Sequence, residues 1–201
     1  MLVQLRPAIV LLALFTLLTG VVYPLVVTGV AQVVFPHQAN GSLIEKDGKV
    51  IGSELIGQSF TSEKYFHGRP SATTDVDPND ASKTISAPYN AASSTGSNLG
   101  PTSTSLAERV KGDVNKLSAE NPGAPVPVDL ATASGSGLDP HVSVAGAYFQ
   151  VPRVARARKL TETALRLMIE AHVEHRWLGI FGEPVINVLD LNLALDAQKQ
   201  G

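Results

Sequence analysis

The chain has no cysteine among its 201 residues. This absence excludes disulfides, thiolate metal sites, cysteine nucleophiles and an anchor formed by a lipidated cysteine. It does not fix the compartment, because a protein outside the cytoplasm can fold without disulfides if its core is large enough.

Charged and aromatic side chains are also scarce. They make up 17% and 5% of the residues, and the formal net charge is only -2. So small a charge gives no field that attracts nucleic acid, and no nucleic-acid partner is expected. The length suits one domain of ordinary size with an appendage, or two small domains.

The longest apolar run, from Pro7 to Phe35, contains no charged residue. About 20 helical residues cross a hydrocarbon core, so this run predicts a membrane-spanning helix at residues 7–29, within an anchor of residues 1–35. Pro24 is expected to kink it. A cleaved secretory signal is an alternative, although the run is about twice as long as the usual signal core, and a buried core helix is another.

The charges on either side of this run predict its orientation. Arg6 precedes it, and the first charges after it are Glu45 and Lys46. The positive-inside rule then places the amino terminus in the cytoplasm and residues 36–201 outside, where ATP is essentially absent.

Patterns in residues 36–201 predict a single mixed α+β domain with short strands and several helices. Strands at 43–45 and 49–53 are joined by the turn-forming pair Asp47-Gly48. Residues 71–105 are rich in small polar residues and predict a long loop, the best candidate for lying against another protein. Ser105 and Glu108 match a capping box that opens a helix.

The second half of this domain is predicted to be mainly helical. A short edge strand is expected within 125–132, then a short helix at 144–150 that Pro152 interrupts. A longer helix starts at Thr161, and a strand at 185–188 leads into a closing amphipathic helix.

The stretch SGSGLDPH, residues 134–141, combines serine, aspartate and histidine. A nucleophile elbow needs Gly-x-Ser-x-Gly, whereas Ser136 has glycine on both sides, and Asp139 and His141 are too close in sequence to form a triad easily. No lysine follows that could meet a phosphate. We therefore predict a glycine-permitted turn that feeds a helix capped by Asp139 or Ser143, and no catalytic residue.

Two further stretches carry metal-ligand residue types. Residues 75–80 begin like a calcium loop, but Asp80 stands where glycine is needed and Ser86 where glutamate is needed. His172 and His175 lie one helical turn apart without a third ligand. No metal site is predicted.

A basic cluster follows Pro152. Arg153, Arg156, Arg158 and Lys159 are interpreted as a solvated helix face, with contact to a partner or to lipid as the alternative.

Five phrases together resemble a known family: YFHGRPSAT at 65–73, YNAASSTGSNLGPTS at 89–103, SGSGLDPHVS at 134–143, QVPRVARAR at 150–158 and NVLDLNLALD at 187–196. They are similar to the C subunit of the bacterial Kdp-type potassium-transporting ATPase. Candidate partner-contact or structural signature residues carried by these phrases are Tyr65, Arg69, Asn98, Ser136, Asp139, His141, Arg153 and Asn187.

The resemblance implies a non-catalytic, single-pass subunit of the bacterial inner membrane. It also implies three partners: a channel-like potassium-translocating subunit, a P-type ATPase subunit and a small membrane peptide. ATP, Mg²⁺ and potassium then belong to the complex, and none is expected to bind this chain directly. The implied roles are assembly and stability of the complex, gating or affinity at the outer entrance, and nucleotide affinity of the ATPase subunit.

The sequence departs from the family pattern after residue 143, where Val144, Ala145, Gly146 and Ala147 replace proline, an acid and two alanines. A less well capped helix start is expected there. The rival functions are a membrane-tethered serine hydrolase that uses Ser136 and His141, and a free-standing anchored binding protein.

Overall fold

The computed structural model describes residues 2–198, and the chain divides into two compact units, residues 1–53 and 54–201. The first unit begins with a short 3-10 turn, Leu2–Gln4, and α1, Leu5–Leu17. A π-helical turn, Leu18–Val22, then leads into α2, Tyr23–Val34. Together α1, this turn and α2 form one continuous apolar helix.

This helix, Leu5–Val34, has 30 residues and an apolar window of mean hydropathy 2.4, none of which is buried. At 1.5 Å per residue it is about 45 Å long, more than a hydrocarbon core of about 30 Å requires. The predicted apolar helix is confirmed, and the structure adds a widened turn before Pro24, where the Tyr23 N–H bonds to the Leu18 carbonyl. Pro24 directly follows this widened turn, which separates it from the regular helical bonding of α1.

A short helix α3, Pro36–Ala39, and a hairpin complete the first unit. Strands β1, Leu43–Lys46, and β2, Lys49–Ser53, pair antiparallel as predicted. Asp47 and Gly48 take φ values of 52° and 73°, the left-handed conformation that this tight turn requires. The boundary at residue 35 between anchor and external domain stays a prediction.

The second unit has a small sheet surrounded by helices. Strands β3, Thr74–Asp77, and β4, Asp80–Ser86, form a separate hairpin. Helices α4, Thr104–Glu120, and α5, Val128–Ala131, precede β5, His141–Ser143. Then follow α6, Val144–Arg158; α7, Glu162–Ala171; β6, Val173–Glu174; β7, Val185–Asn187; and α8, Val188–Ala197. The sheet is antiparallel in the order β5-β7-β6, so the overall α+β class is confirmed.

The core of this unit is mainly aliphatic and lies between the sheet and the last three helices. Its fully buried members include Phe66, Val142, Val151, Val154, Leu165, Ile169, Ile186, Leu191 and Leu195. Phe66 comes from the irregular segment before β3, which is therefore fixed to the core at one point.

Several predicted elements need correction. The predicted 71–105 loop contains the β3–β4 hairpin, whose turn is formed by Pro78 and Asn79. The cap of α4 is Ser103, whose side chain accepts from the Leu106 N–H, and not Ser105. Residues 128–131 form α5 instead of an edge strand.

Pro152 does not interrupt the helix that precedes it, because α6 continues through it to Arg158. Val151 and Val154 on either side are fully buried, so the packing of this face stabilises a helix that proline alone would break. Asn121 Nδ2 also donates to the Phe149 carbonyl, in the turn that Pro152 perturbs.

The expected weak start of α6 is also wrong. Ser143 Oγ accepts from the Gly146 N–H at 2.9 Å, and the Asp129 carboxylate accepts from both the backbone N–H and the hydroxyl of Ser143. A carboxylate beside the first turn also interacts favourably with the helix dipole. Thr161 caps α7 as predicted.

Candidate functional site

The 134–141 stretch is a tight loop that lies against two other segments of the same unit. Gly137 has a φ of 67°, and a Cβ there would lie 2.6 Å from both Thr73 Cγ2 and the Thr95 carbonyl oxygen. A Cβ on Gly96 would lie 2.9 Å from the Gly135 carbonyl oxygen. The glycines therefore allow close backbone approach, and the predicted glycine-permitted turn is confirmed.

The polar side chains of this loop are used to shape it. Ser134 Oγ accepts from the Gly137 N–H, Ser136 Oγ from the Leu138 N–H, and Asp139 Oδ1 from the His141 N–H. The predicted cap is resolved as well, because Ser143 caps α6 while Asp139 stabilises the turn before β5.

A serine hydrolase would need a hydrogen bond between Ser136 and His141. The Ser136 hydroxyl lies 3.5 Å from Ser134 Oγ and bonds to the Leu138 N–H, and the His141 ring nitrogens face Asp139 and Glu174. Both residues thus have other partners, and the geometry gives the hydrolase alternative no support.

A chain of charged groups extends from the loop, and we call Arg69, Asp139, His141 and Glu174 the signature cluster. Arg69 Nη1 lies 2.9 Å from Asp139 Oδ2. His141 Nδ1 lies 3.5 Å from Asp139 Oδ1, and its Nε2 lies 3.5 Å from Glu174 Oε1 on β6. The cluster therefore connects the 65–73 segment, the loop and the sheet.

Each titratable group at the centre of this cluster favours its charged form. Burial raises the pKa of Asp139, but hydrogen bonds from His141 and Arg69 outweigh burial and hold that pKa below its usual value. The pKa of His141 is raised, first by its interaction with Asp139 and further by Glu174, against the opposing effect of burial.

Tyr89 packs against the Arg69 side of this cluster. It was not predicted from the sequence as a site residue. Its hydroxyl donates to the Arg69 carbonyl at 2.7 Å. Its ring leaves no space for a Cβ on Gly57, and its hydroxyl leaves none on Gly68. Burial raises the pKa of Tyr89 to about 12, so the hydroxyl keeps its proton. An isolated aromatic residue in a polar segment was the available signal.

Arg153 organises a second cluster, so its predicted place on a solvated face is wrong. The residue is only 8% exposed. Its Nη1 donates to the Glu63 and Tyr65 carbonyls at 2.8 and 3.0 Å, and its Nη2 donates to Gln150 Oε1 at 2.7 Å. Its Nε lies 3.3 Å from Glu120 Oε2 but without hydrogen-bond alignment. Burial lowers the pKa of Arg153.

Arg158, Tyr65 and Asp196 contact one another beside this cluster. Arg158 Nη2 lies 2.6 Å from Asp196 Oδ1, and its guanidinium lies 4.8 Å from the Tyr65 ring centroid. The Tyr65 hydroxyl donates to Asp196 Oδ2, and this bond raises its pKa. Of the basic residues at 153–159, Arg156 and Lys159 are exposed as predicted.

The other predicted residues lie elsewhere. Asn187 Oδ1 accepts from the Leu189 N–H at the start of α8, while Nδ2 donates to the Glu54 carbonyl. Asn98 has a left-handed φ of 51°. No sequence signal pointed to Asn192, which is 2% exposed and bonds to both the N–H and the carbonyl of Phe66.

The structure therefore brings Arg69, Ser136, Asp139 and His141 together around one loop. Tyr65 instead contacts α6, where its carbonyl accepts from Arg153 and its ring lies beside Arg158. Within residues 2–198, no group of three or more histidine or acidic side chains is arranged to hold a metal. The role of these residues in partner contact stays a prediction.

Comparison with known proteins identifies the family that the chain matches. Residues 5–197 match the family model described as "KdpC: K+-transporting ATPase, c chain". The chain is 67% identical over 195 residues to the potassium-transporting ATPase KdpC subunit of Methylorubrum extorquens, covering 97% of each chain. It is 65% identical to the proteins of that name from Methylobacterium nodulans, covering 98% of each, and from Rhodopseudomonas palustris BisB18, covering 99% of this chain and all of that one.

Proposed function

Because the chain belongs to the KdpC family of potassium-transporting ATPase subunits, we propose that it is a non-catalytic accessory subunit that assembles and stabilises an ATP-driven potassium uptake complex. The apolar helix Leu5–Val34 and the family together indicate a membrane-associated protein. In the proposal this helix anchors the chain, the amino terminus is cytoplasmic, and residues 36–201 lie outside.

The main observation behind the proposal is that the polar side chains of the 134–141 loop hydrogen-bond to the loop's own backbone. Asp139 is paired with Arg69 and bonded to the His141 N–H, and both loop serines accept backbone N–H groups. Side chains committed in this way maintain the shape of a surface. Ser136 bonds to the Leu138 N–H while the His141 ring faces Asp139 and Glu174, so the two lack the contact that activates a serine nucleophile, which supports assembly as the role.

The proposed partners are a channel-like potassium-translocating subunit, a P-type ATPase subunit and a small membrane peptide. ATP and Mg²⁺ are assigned to the ATPase subunit and potassium to the translocating subunit, with none bound by this chain. An external position separates the second unit from cytoplasmic ATP, so any effect on nucleotide affinity is transmitted through the partners. Gating at the outer entrance is a secondary role that docking there would permit.

Affinity purification of the tagged full-length chain in mild detergent, followed by mass identification, tests the proposal. The expected result is recovery of a P-type ATPase and a large multispanning subunit. Recovery of the chain alone, as a monomer, would favour a free-standing binding protein and contradict the proposal.

The matched variant is the double substitution Ser136→Ala and His141→Ala. A hydrolase would lose esterase or peptidase activity, whereas an assembly subunit has none to lose. The preparation is therefore assayed for hydrolysis alongside partner recovery, and hydrolysis by the wild type that the variant lacks would overturn the non-catalytic assignment.

A further inference from the structure

The connection between β6 and β7 exposes a concentrated group of large apolar side chains, Trp177–Phe181, which we call the apolar tip. Trp177, Leu178, Ile180 and Phe181 are 69%, 71%, 73% and 58% exposed. The other strongly exposed large apolar residues of the second unit, such as Val128 and Leu167, are dispersed along the chain. Scattered exposed residues are ordinary, but four within five positions mark an interaction site.

The tip has an ordered shape. Trp177 and Phe181 exchange two backbone hydrogen bonds of 2.9 and 3.0 Å, and the Ile180 N–H closes a turn to the Trp177 carbonyl at 3.1 Å. The two aromatic rings lie 5.7 Å apart. Arg176 and Glu183 form an ion pair of 2.5 Å across the base of the tip.

This shape is held against backbone preference. Leu178 has a φ of 52° and Gly179 a φ of 73°. Two successive left-handed residues form the turn that favours asparagine, aspartate and glycine, so a leucine at its first central position is strained. Strain of this kind is found at sites where a fixed shape is used for recognition.

The order and the charges favour a protein as the occupant over a lipid surface. A fluid bilayer accepts apolar side chains in any conformation, whereas a protein pocket rewards a tip already in its bound shape. The flanking charges are Glu174, Arg176 and Glu183, and Glu183 pairs with Arg176, so these residues form no basic cluster of the kind that attracts anionic lipid. Tryptophan and phenylalanine are also enriched at the centres of protein interfaces.

Resting on the proposed function, we infer that the apolar tip docks into an apolar pocket with a basic or hydrogen-bond-donating rim on another subunit of the complex. The aromatic pair fills the pocket, and the carboxylates of Glu174 and Glu183 face its rim. The tip thus anchors the second unit to a partner by contacts that adjoin the signature cluster only at Glu174.

Site-specific photo-crosslinking in membranes from cells that contain the whole complex tests the occupant. Ile180 is replaced by p-benzoylphenylalanine, and the control carries the same replacement at Leu167, which is 62% exposed on α7. The expected result is a covalent adduct between the Ile180 variant and another protein subunit, which the control does not form. Adducts with phospholipid alone, adducts with a second copy of this chain, or no adduct would overturn the inference.

The double variant Trp177→Ala and Phe181→Ala measures the contribution of the tip. Partner recovered per tagged chain is expected to fall at least about tenfold, since truncated aromatic anchors commonly cost that much affinity. The control is Val128→Ala, which truncates an isolated side chain that is 76% exposed. The thermal melt of all variants should match the wild type, because none of these side chains belongs to the core.

Failures of the two proposals are distinguishable. If the wild type recovers no partner, the proposed function fails. If wild type and double variant recover partners equally, only the docking role of the tip is refuted.

Discussion

Replacing Arg153 by alanine should be among the most damaging single changes in the second unit. The change removes three hydrogen bonds from a guanidinium that is 8% exposed, two to backbone carbonyls and one to Gln150. Hydrogen bonds to charged groups contribute about 1.5–3 kcal/mol each, partly offset by the desolvation of the arginine. A net loss of about 3–5 kcal/mol in the free energy of unfolding is expected, since the Glu63 and Tyr65 carbonyls lose their donor.

For a unit of this size, each kcal/mol corresponds to about 2–4 °C, so Arg153→Ala should lower the melting temperature by roughly 6–20 °C. The assay is thermal unfolding of the full chain in detergent, followed by circular dichroism. Arg156→Ala is the matched control, because Arg156 is exposed on the same helix and should change stability by less than about 0.5 kcal/mol. Equal melting temperatures for the two variants would refute the assignment of Arg153 as a buried organiser.

Three further predictions concern the loop and its neighbours. The raised pKa of His141 means that its interactions stabilise the fold fully below the unfolded value of 6.5 and are lost as pH rises through the folded pKa. The difference in free energy of unfolding between wild type and His141→Gln should therefore be larger near about pH 5 than near about pH 8. A difference that stays constant with pH would contradict this. Gly137→Ala should destabilise by about 2 kcal/mol or more because of its φ and the Thr73 contact, while Gly135→Ala, whose Cβ meets nothing within 4 Å, should melt like the wild type. Asn187→Ala should lose about 1–2 kcal/mol in chemical denaturation, since it removes the cap of α8 and the bond to the Glu54 carbonyl, and an unchanged midpoint would argue against both contacts.

The parts of the fold that the sequence predicted correctly depend on local signals. The Asp47-Gly48 turn, the Thr161 cap and the strand before α8 each follow from residues adjacent in the chain. The β3–β4 hairpin could have been found in the same way, because Pro78-Asn79 is a turn signal between two short segments.

The errors arose where distant contacts decide. Pro152 stays within α6 because the residues around it are buried by the rest of the unit. Arg153 looks like part of a basic helix face, since its carbonyl partners lie 88 and 90 residues earlier in the chain. The glycine-rich loop at 134–141 was predicted correctly as a turn, but its neighbours were not predictable, because Thr73 and Thr95, which lie against Gly137, are distant in sequence.

Purification of the potassium-transporting complex through a tag on its ATPase subunit, from cells with and without this chain, tests the central claim most directly. The account predicts that potassium-stimulated ATP hydrolysis by an intact complex requires the chain, and that the partners separate or lose this activity when it is missing. A complex of the remaining subunits that stays assembled and fully potassium-stimulated without the chain would contradict the account.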